Sequence, residues 1–126
     1  MKVVIATIVI LALFFVGTFY IGQYVQNASE EILNSAQKID RAIQQERWEE
    51  AAAYIEDLNV KWSDIKKRWL LFMEHYEIDI VDTTIAKLER YVELEELALS
   101  TGEVVNLEQA IDHIVKKGSL ELSNIL

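Results

Sequence analysis

Few residues in this chain have the types and spacing to do chemistry. The two histidines come first. His75 lies among Glu74, Glu77, Asp79 and Asp82, and His113 follows Asp112. Imidazole with carboxylate is a transition-metal ligand set. A di-metal bundle site needs Glu-x-x-His pairs, but Phe72 and Ala110 stand three residues before the two histidines. The zinc-protease spacing is absent. A calcium loop needs a glycine at its turn, and residues 77–82 contain none. His75, Glu77, Asp79, Asp82 and His113 are thus the metal candidates, with a simpler reading: Glu77 to Asp82 turn and cap the chain between two helices. The sequence predicts no bound metal and no cofactor. Without cysteine there is no thiolate site, disulfide or cysteine nucleophile. No nucleophile elbow or glycine-rich phosphate loop occurs, and carboxylates along helix faces serve solubility. The chain is not expected to be an enzyme.

Aromatic and basic side chains form the other candidate surface. Trp48, Trp62 and Trp69 fall on one helical stripe. They could line a groove for a partner helix, but aromatics at this spacing normally pack in a core, and that reading is preferred. Lys61, Lys66, Lys67 and Arg68 form a short basic run on the same segment. It could meet an acidic partner; the plainer reading is a solvated face, worth under about 1 kcal/mol per ion pair.

The elements that must position these residues are all helical. The 126 residues include no proline and four glycines, against the turn-rich sandwiches and barrels. Ile32, Ala36, Ile39 and Ile43 recur at helical steps. Trp48, Ala51, Ile55, Leu58, Trp62, Ile65, Trp69, Phe72 and Tyr76 alternate steps of three and four, an apolar seam of roughly 44 Å. Ile85, Leu88 and Val92 make another face, and Val104, Leu107, Ile111 and Ile114 a fourth. Breaks are expected at Glu77–Asp79, with Asp79 as an N-cap, and at Ser100-Thr101-Gly102. Gly118 suits the C′ position of a last helix. The predicted helices run over 29–45, 47–76, 79–99 and 103–117, with an apolar tail (Leu120, Leu122, Ile125, Leu126) docked on them. Short connections imply antiparallel neighbours.

Residues 3–22 contain no charge, and about 20 such residues cross a bilayer core. The run is too long for a signal peptide, and its exit lacks a small-x-small site. The sequence divides into 1–25, a stub and transmembrane anchor, and 26–126, an extracytoplasmic helical bundle. Lys2 and the α-amino group precede the span, while Glu30 and Glu31 follow it, which places the N-terminus in the cytoplasm. Tyr20 and Tyr24 fall at the outer interface. Asn27 reads as an N-cap with Glu30 completing a capping box, in preference to a glycosylation sequon. Only Met1 and Lys2 precede the span, so no cytoplasmic output domain is expected. The bundle holds all 21 acidic residues and 11 of the 12 basic ones, a balance against nucleic acid and anionic headgroups. Residues 74–112 alone carry eleven acids and two bases.

Several short motifs lie along this framework. They are Trp48-x-x-Ala51, Trp62, His75-x-Glu77-Ile78-Asp79-x-x-Asp82, Leu88-x-x-Tyr91, Ile111-x-His113-Ile114 and Leu120-x-Leu122-x-Asn124-Ile125-Leu126. On these the chain resembles the family known as domain of unknown function 4363, small membrane-anchored helical proteins of clostridia and related Gram-positive bacteria. The resemblance implies an anchored helical architecture and a bacterial surface location. It transfers no activity and no site residue. The expectation is an all-α protein, an N-terminal transmembrane helix followed by a small antiparallel bundle of about four helices. Its task would be interaction: with the bilayer through the span, and with another membrane or envelope protein or a second copy of itself. The alternative is an extracytoplasmic bundle sensing a small ligand or metal with a separate signalling partner.

Overall fold

The computed structural model describes residues 1–125, with side chains through residue 118. It has four helices: α1 (Lys2–Gln44), α2 (Trp48–Trp69), α3 (His75–Glu93) and α4 (Leu97–Ile125). No strand occurs among the described residues. Each helix packs on the next, and α4 closes the ring against α1. The order is up, down, up, down, with short connections at 45–47, 70–74 and 94–96.

The four apolar seams read from the sequence converge on one core. α1 supplies Ala28, Ile32, Ala36, Ile39, Ala42 and Ile43; α2 supplies Ala51, Ile55, Leu58, Trp62, Ile65 and Trp69. α3 adds Ile78, Val81, Ile85, Leu88 and Val92, and α4 adds Val104, Leu107, Ile111 and Ile114. Bulk is unevenly divided, since α1 brings three alanines to the core into which α2 brings two tryptophans. The tryptophan rings meet edge to face, with centroids 5.7 Å apart, a favoured aromatic geometry.

The α1–α2 turn falls at 45–47 as the sequence predicts, but the other helix boundaries depart from the expectation. No break separates the span from the first bundle helix. Asn27 and Glu30 lie inside α1 and are exposed, so the expected N-cap does not form. Between Tyr20 and Glu30 only Gly22 weakens the helix, by about 1 kcal/mol, and Ala28 and Ser29 are already buried by the bundle. The division at 25/26 therefore falls inside one helix.

α2 stops at Trp69, seven residues before the expected end. The Leu71 and Phe72 amides donate to the carbonyls three residues back, Arg68 and Trp69, tightening the last turn before the chain leaves it. Phe72 and Tyr76 continue the apolar period in sequence only; both are exposed. α3 starts from extended Glu74 (ψ 136°), not from Asp79. Ser100-Thr101-Gly102 is no break. The Ser100 hydroxyl donates to the Glu96 carbonyl at 2.6 Å, which absorbs the serine into the first turn of α4. Gly118 does not end α4, which continues to Ile125. The side chains of the apolar tail lie outside those described.

The turns that do form share one device. After α1 and after α3 the chain closes in a Schellman motif: Arg47 N–H bonds to Ala42 O and Glu46 N–H to Ile43 O, as Glu96 does to Tyr91 and Glu95 to Val92. The C′ residue must be left-handed, and here it is Glu46 (φ 55°) and Glu95 (φ 53°). That conformation costs a non-glycine residue roughly 1–2 kcal/mol. Glu46→Gly and Glu95→Gly should therefore each stabilise the fold, by about 0.5–1 kcal/mol after glycine's greater unfolded-state freedom is subtracted. Urea unfolding in detergent would show the midpoint rising for each variant; a fall would mean the glutamates make contacts that outweigh the strain.

Candidate functional site

The antiparallel order puts the 45–47 and 94–96 turns at one end of the bundle. The 70–74 turn lies at the other, where α1 continues alone toward its N-terminus. This second end gathers the polar groups with chemical potential. The first turn of α3 faces the last described turn of α4. Glu77 is 8% exposed and accepts from Lys117 Nζ at 3.1 Å. Lys117 also reaches Glu74 at 3.1 Å, and His113 Nε2 stands 3.8 Å from Glu77. Glu77 is the acidic residue of the first turn of α3, the end of a helix at which acidic side chains are stabilising. Lys117 Nζ, between two carboxylates, has its pKa raised above the ordinary lysine value, mainly by the bond to Glu77 and then by that to Glu74.

Beside this cluster is a cleft of about 670 Å³. Its walls include Phe19, Ile21, Gly22 and Val25 of α1, Phe72 and Met73 of the α2–α3 turn, and Ile114 and Val115 of α4; Glu77 and Lys117 mark its polar side. It is an amphipathic cleft with one charged edge, suited to an elongated apolar molecule with a polar head.

Of the five metal candidates, the structure brings together Glu77 and His113. His75 and Asp79 are exposed. Asp82 faces α2 instead: its carboxylate accepts the Trp62 indole N–H at 2.6 Å and pairs with Lys66 Nζ. Among the described residues no group of three or more histidine, cysteine or carboxylate side chains could hold a metal ion. Asp82 therefore ties α2 to α3 and gives the buried indole its acceptor. The Trp69 indole N–H, also buried, has no partner among the described residues.

The proposed aromatic groove is not a surface. Trp62 and Trp69 are 4% and 0% exposed, and half-buried Trp48 packs against the same core. Lys66 is engaged by Asp82, while Lys67 and Arg68 remain exposed. Arg68 lies over the Tyr24 ring, 5.5 Å from its centroid. Beyond α1, six of the nine exposed large apolar side chains among the described residues lie toward the two bundle ends, Leu71, Phe72 and Tyr76 at one and Leu94, Leu97 and Leu99 at the other, while Val60, Ile80 and Val105 lie along the helices.

Residues 1–16, at the start of α1, are all exposed. The apolar window of α1 has a mean hydropathy of 2.6 and no buried residue, and the helix is long and apolar enough to cross a membrane. The hydroxyls of Thr7 and Thr18 each donate to the carbonyl four residues back, at 2.8 Å. Neither threonine hydroxyl therefore needs water.

This architecture defines a small all-helical protein with a long apolar N-terminal helix. A family model described as a domain of unknown function (DUF4363) matches residues 19–125, and the chain belongs to that family. No curated protein and no solved structure matches it.

The raised pKa of Lys117 makes a signed prediction. A cation held more tightly by the folded state stabilises it fully below the unfolded pKa, about 10.4 for lysine, and the contribution is lost as pH rises through the folded value. Tyr54, raised by its hydrogen bond to Glu50, acts with the same sign near its own ordinary value. Stability measured by urea unfolding should therefore fall above about pH 10. Lys117→Gln should flatten that fall, and Lys116→Gln should not. An identical slope in Lys117→Gln would show that the ammonium is not held by the Glu77 site.

Proposed function

We propose that the protein is a single-pass membrane-anchored accessory module. In this reading residues 3–22 span the bilayer with the N-terminus in the cytoplasm, and the acidic bundle outside engages another membrane or envelope protein. The observation that carries the reading is the continuity of α1, an uncovered apolar helix that becomes one of the four struts of the bundle. A helix of 43 residues is about 65 Å long. Such a rod transmits the tilt and rotation of the span to the bundle without an intervening linker. That suits bracing or reporting on a neighbour in the same membrane.

The far end supports a docking role. Leu94, Leu97 and Leu99 are 41–54% exposed there, beside Glu93, Glu95 and Glu96. An apolar cluster bordered by acids fits a partner surface that is apolar and basic. The cleft near Glu77 and Lys117 favours a second reading, a bundle that senses an amphipathic small ligand and passes the signal to a separate partner.

Photo-crosslinking in native membranes tests the proposal. A photoreactive residue would replace Leu13 in the span, Glu56 on the outer face of α2 or Leu97 at the tip. The accessory role predicts one dominant membrane or envelope protein captured from Leu13 or Leu97, with Glu56 as the silent control. Crosslinks restricted to lipid and to the protein itself would contradict it and favour the ligand-sensing reading.

A further inference from the structure

We infer that the α2–α3 turn is a second membrane contact, in which Leu71 and Phe72 enter the headgroup boundary of the leaflet from which α1 emerges. The inference rests on the reading of α1 as a transmembrane anchor and adds a site to it.

The first observation is height. The turn does not end clear of the apolar helix. Phe72 and Met73 line one cleft with Thr18, Phe19 and Gly22 of α1. The turn therefore sits level with the last turns of the apolar span, where a bilayer places its headgroups. The second is exposure. Leu71 is 85%, Tyr76 72% and Phe72 44% exposed. The run Leu70-Leu71-Phe72-Met73 presents two large apolar side chains to the surroundings at a tight turn, where water-facing connections ordinarily carry polar residues. The third is charge. The residues entering the turn are Lys67 and Arg68, both exposed, and neither has an ion-pair partner among the described residues. Six of the twelve cations, Lys66 and Lys117 near this turn among them, do have one. Arg68 also lies over Tyr24, an aromatic at the end of the span.

Apolar side chains at a turn, flanked by cations and an exposed tyrosine, are what an interfacial contact requires. The apolar groups reach about 5–10 Å into the headgroup and acyl boundary, while the cations extend to the phosphates. The protein's net charge is −9, but Glu74, the acid within the turn, is held by Lys117, which leaves Lys67 and Arg68 as the unpaired charges of residues 67–74 among the described residues. With α1 as one contact and this turn as another, the bundle is held at two points and cannot swing about the span.

The absence of cysteine makes the test direct. Leu71→Cys, Leu13→Cys and Glu56→Cys would each be labelled with an environment-sensitive fluorophore in the full chain. The proteins would be reconstituted in nanodiscs of phosphatidylcholine and phosphatidylglycerol. Doxyl-labelled lipid reports contact with the bilayer, and aqueous iodide reports contact with water. The inference predicts that the probe at position 71 is blue-shifted, quenched by doxyl lipid and shielded from iodide, as at position 13, while position 56 shows the reverse. Iodide quenching at 71 with doxyl quenching at 13 would overturn the second contact and leave the anchor standing. Shielding of 71 from both quenchers would overturn it too, since protein would then cover the turn. Loss of doxyl quenching at 13 would remove the anchor on which the inference rests. Leu71 is so exposed that the substitution leaves the core untouched.

Discussion

One helix carries two kinds of surface. From Val3 to Val16 every side chain of α1 is exposed; from Ala28 to Ile43 only one stripe is buried. A helix that is apolar all round belongs in lipid or in a large core, and one with a stripe belongs at the edge of a bundle. The change between the two regimes occurs around Gly22 to Gln26, without a break in the backbone hydrogen bonds. The other elements follow from it. Because α1 is continuous, the height at which the bundle begins is fixed by the residue at which burial begins. That height brings the α2–α3 turn and the end of α4 alongside the last turns of the apolar stretch.

The stability of the bundle rests on its core rather than on its charges. Four of the ion pairs link residues three or four apart on one helix face, and such pairs contribute little. Beside exposed contacts such as Asn59 to Glu89 and Arg68 to Tyr24, two less exposed polar ties run between helices among the described residues. Asp82 joins α2 and α3 through an indole and an ammonium. Glu77 joins α3 and α4 through Lys117. A buried carboxylate that loses its partner costs several kcal/mol, about 3–5, which applies to Glu77, whose side chain is 9% exposed; Asp82, at 34%, is screened by solvent and contributes less. The ties therefore fix the register of α3 against both neighbours, and they do so near the end where the span joins the bundle.

The apolar seams were legible in the sequence because helical periodicity is a property of many residues at once. Every buried position expected from Ile32 to Ile43, from Ala51 to Trp69, from Ile85 to Val92 and from Val104 to Ile114 lies in the core. The boundaries were less legible: the α1–α2 turn at 45–47 was placed to within a residue, but the chain turns without the residues that usually mark turns. Glu46 and Glu95 occupy left-handed positions where glycine is the expected signal, while Ser100-Thr101-Gly102 looks like a break and is helix. Asn27 looked like a cap, yet tertiary contacts at Ala28 and Ser29 carry the helix through it. The Glu77–Lys117 pair was also missed, though a signal existed. Lys117 continues the Leu107, Ile111, Ile114 seam by a further three residues, and Glu77 lies four before Val81. An acid and a base on inward stripes of adjacent antiparallel helices invite pairing. Asp82 was read as one of a metal set because sequence proximity to His75 stood in for spatial proximity, and its actual partners lie on α2.

Hydrogen exchange by mass spectrometry on the full chain in nanodiscs tests the central claim most directly. If α1 is one helix through the junction, amides from Tyr20 to Glu30 should be as protected as those of the buried stripe that follows, without a gap at Gly22 to Asn27. Rapid exchange confined to that junction would mean a hinge between anchor and bundle. The rigid coupling on which the account depends would then be lost.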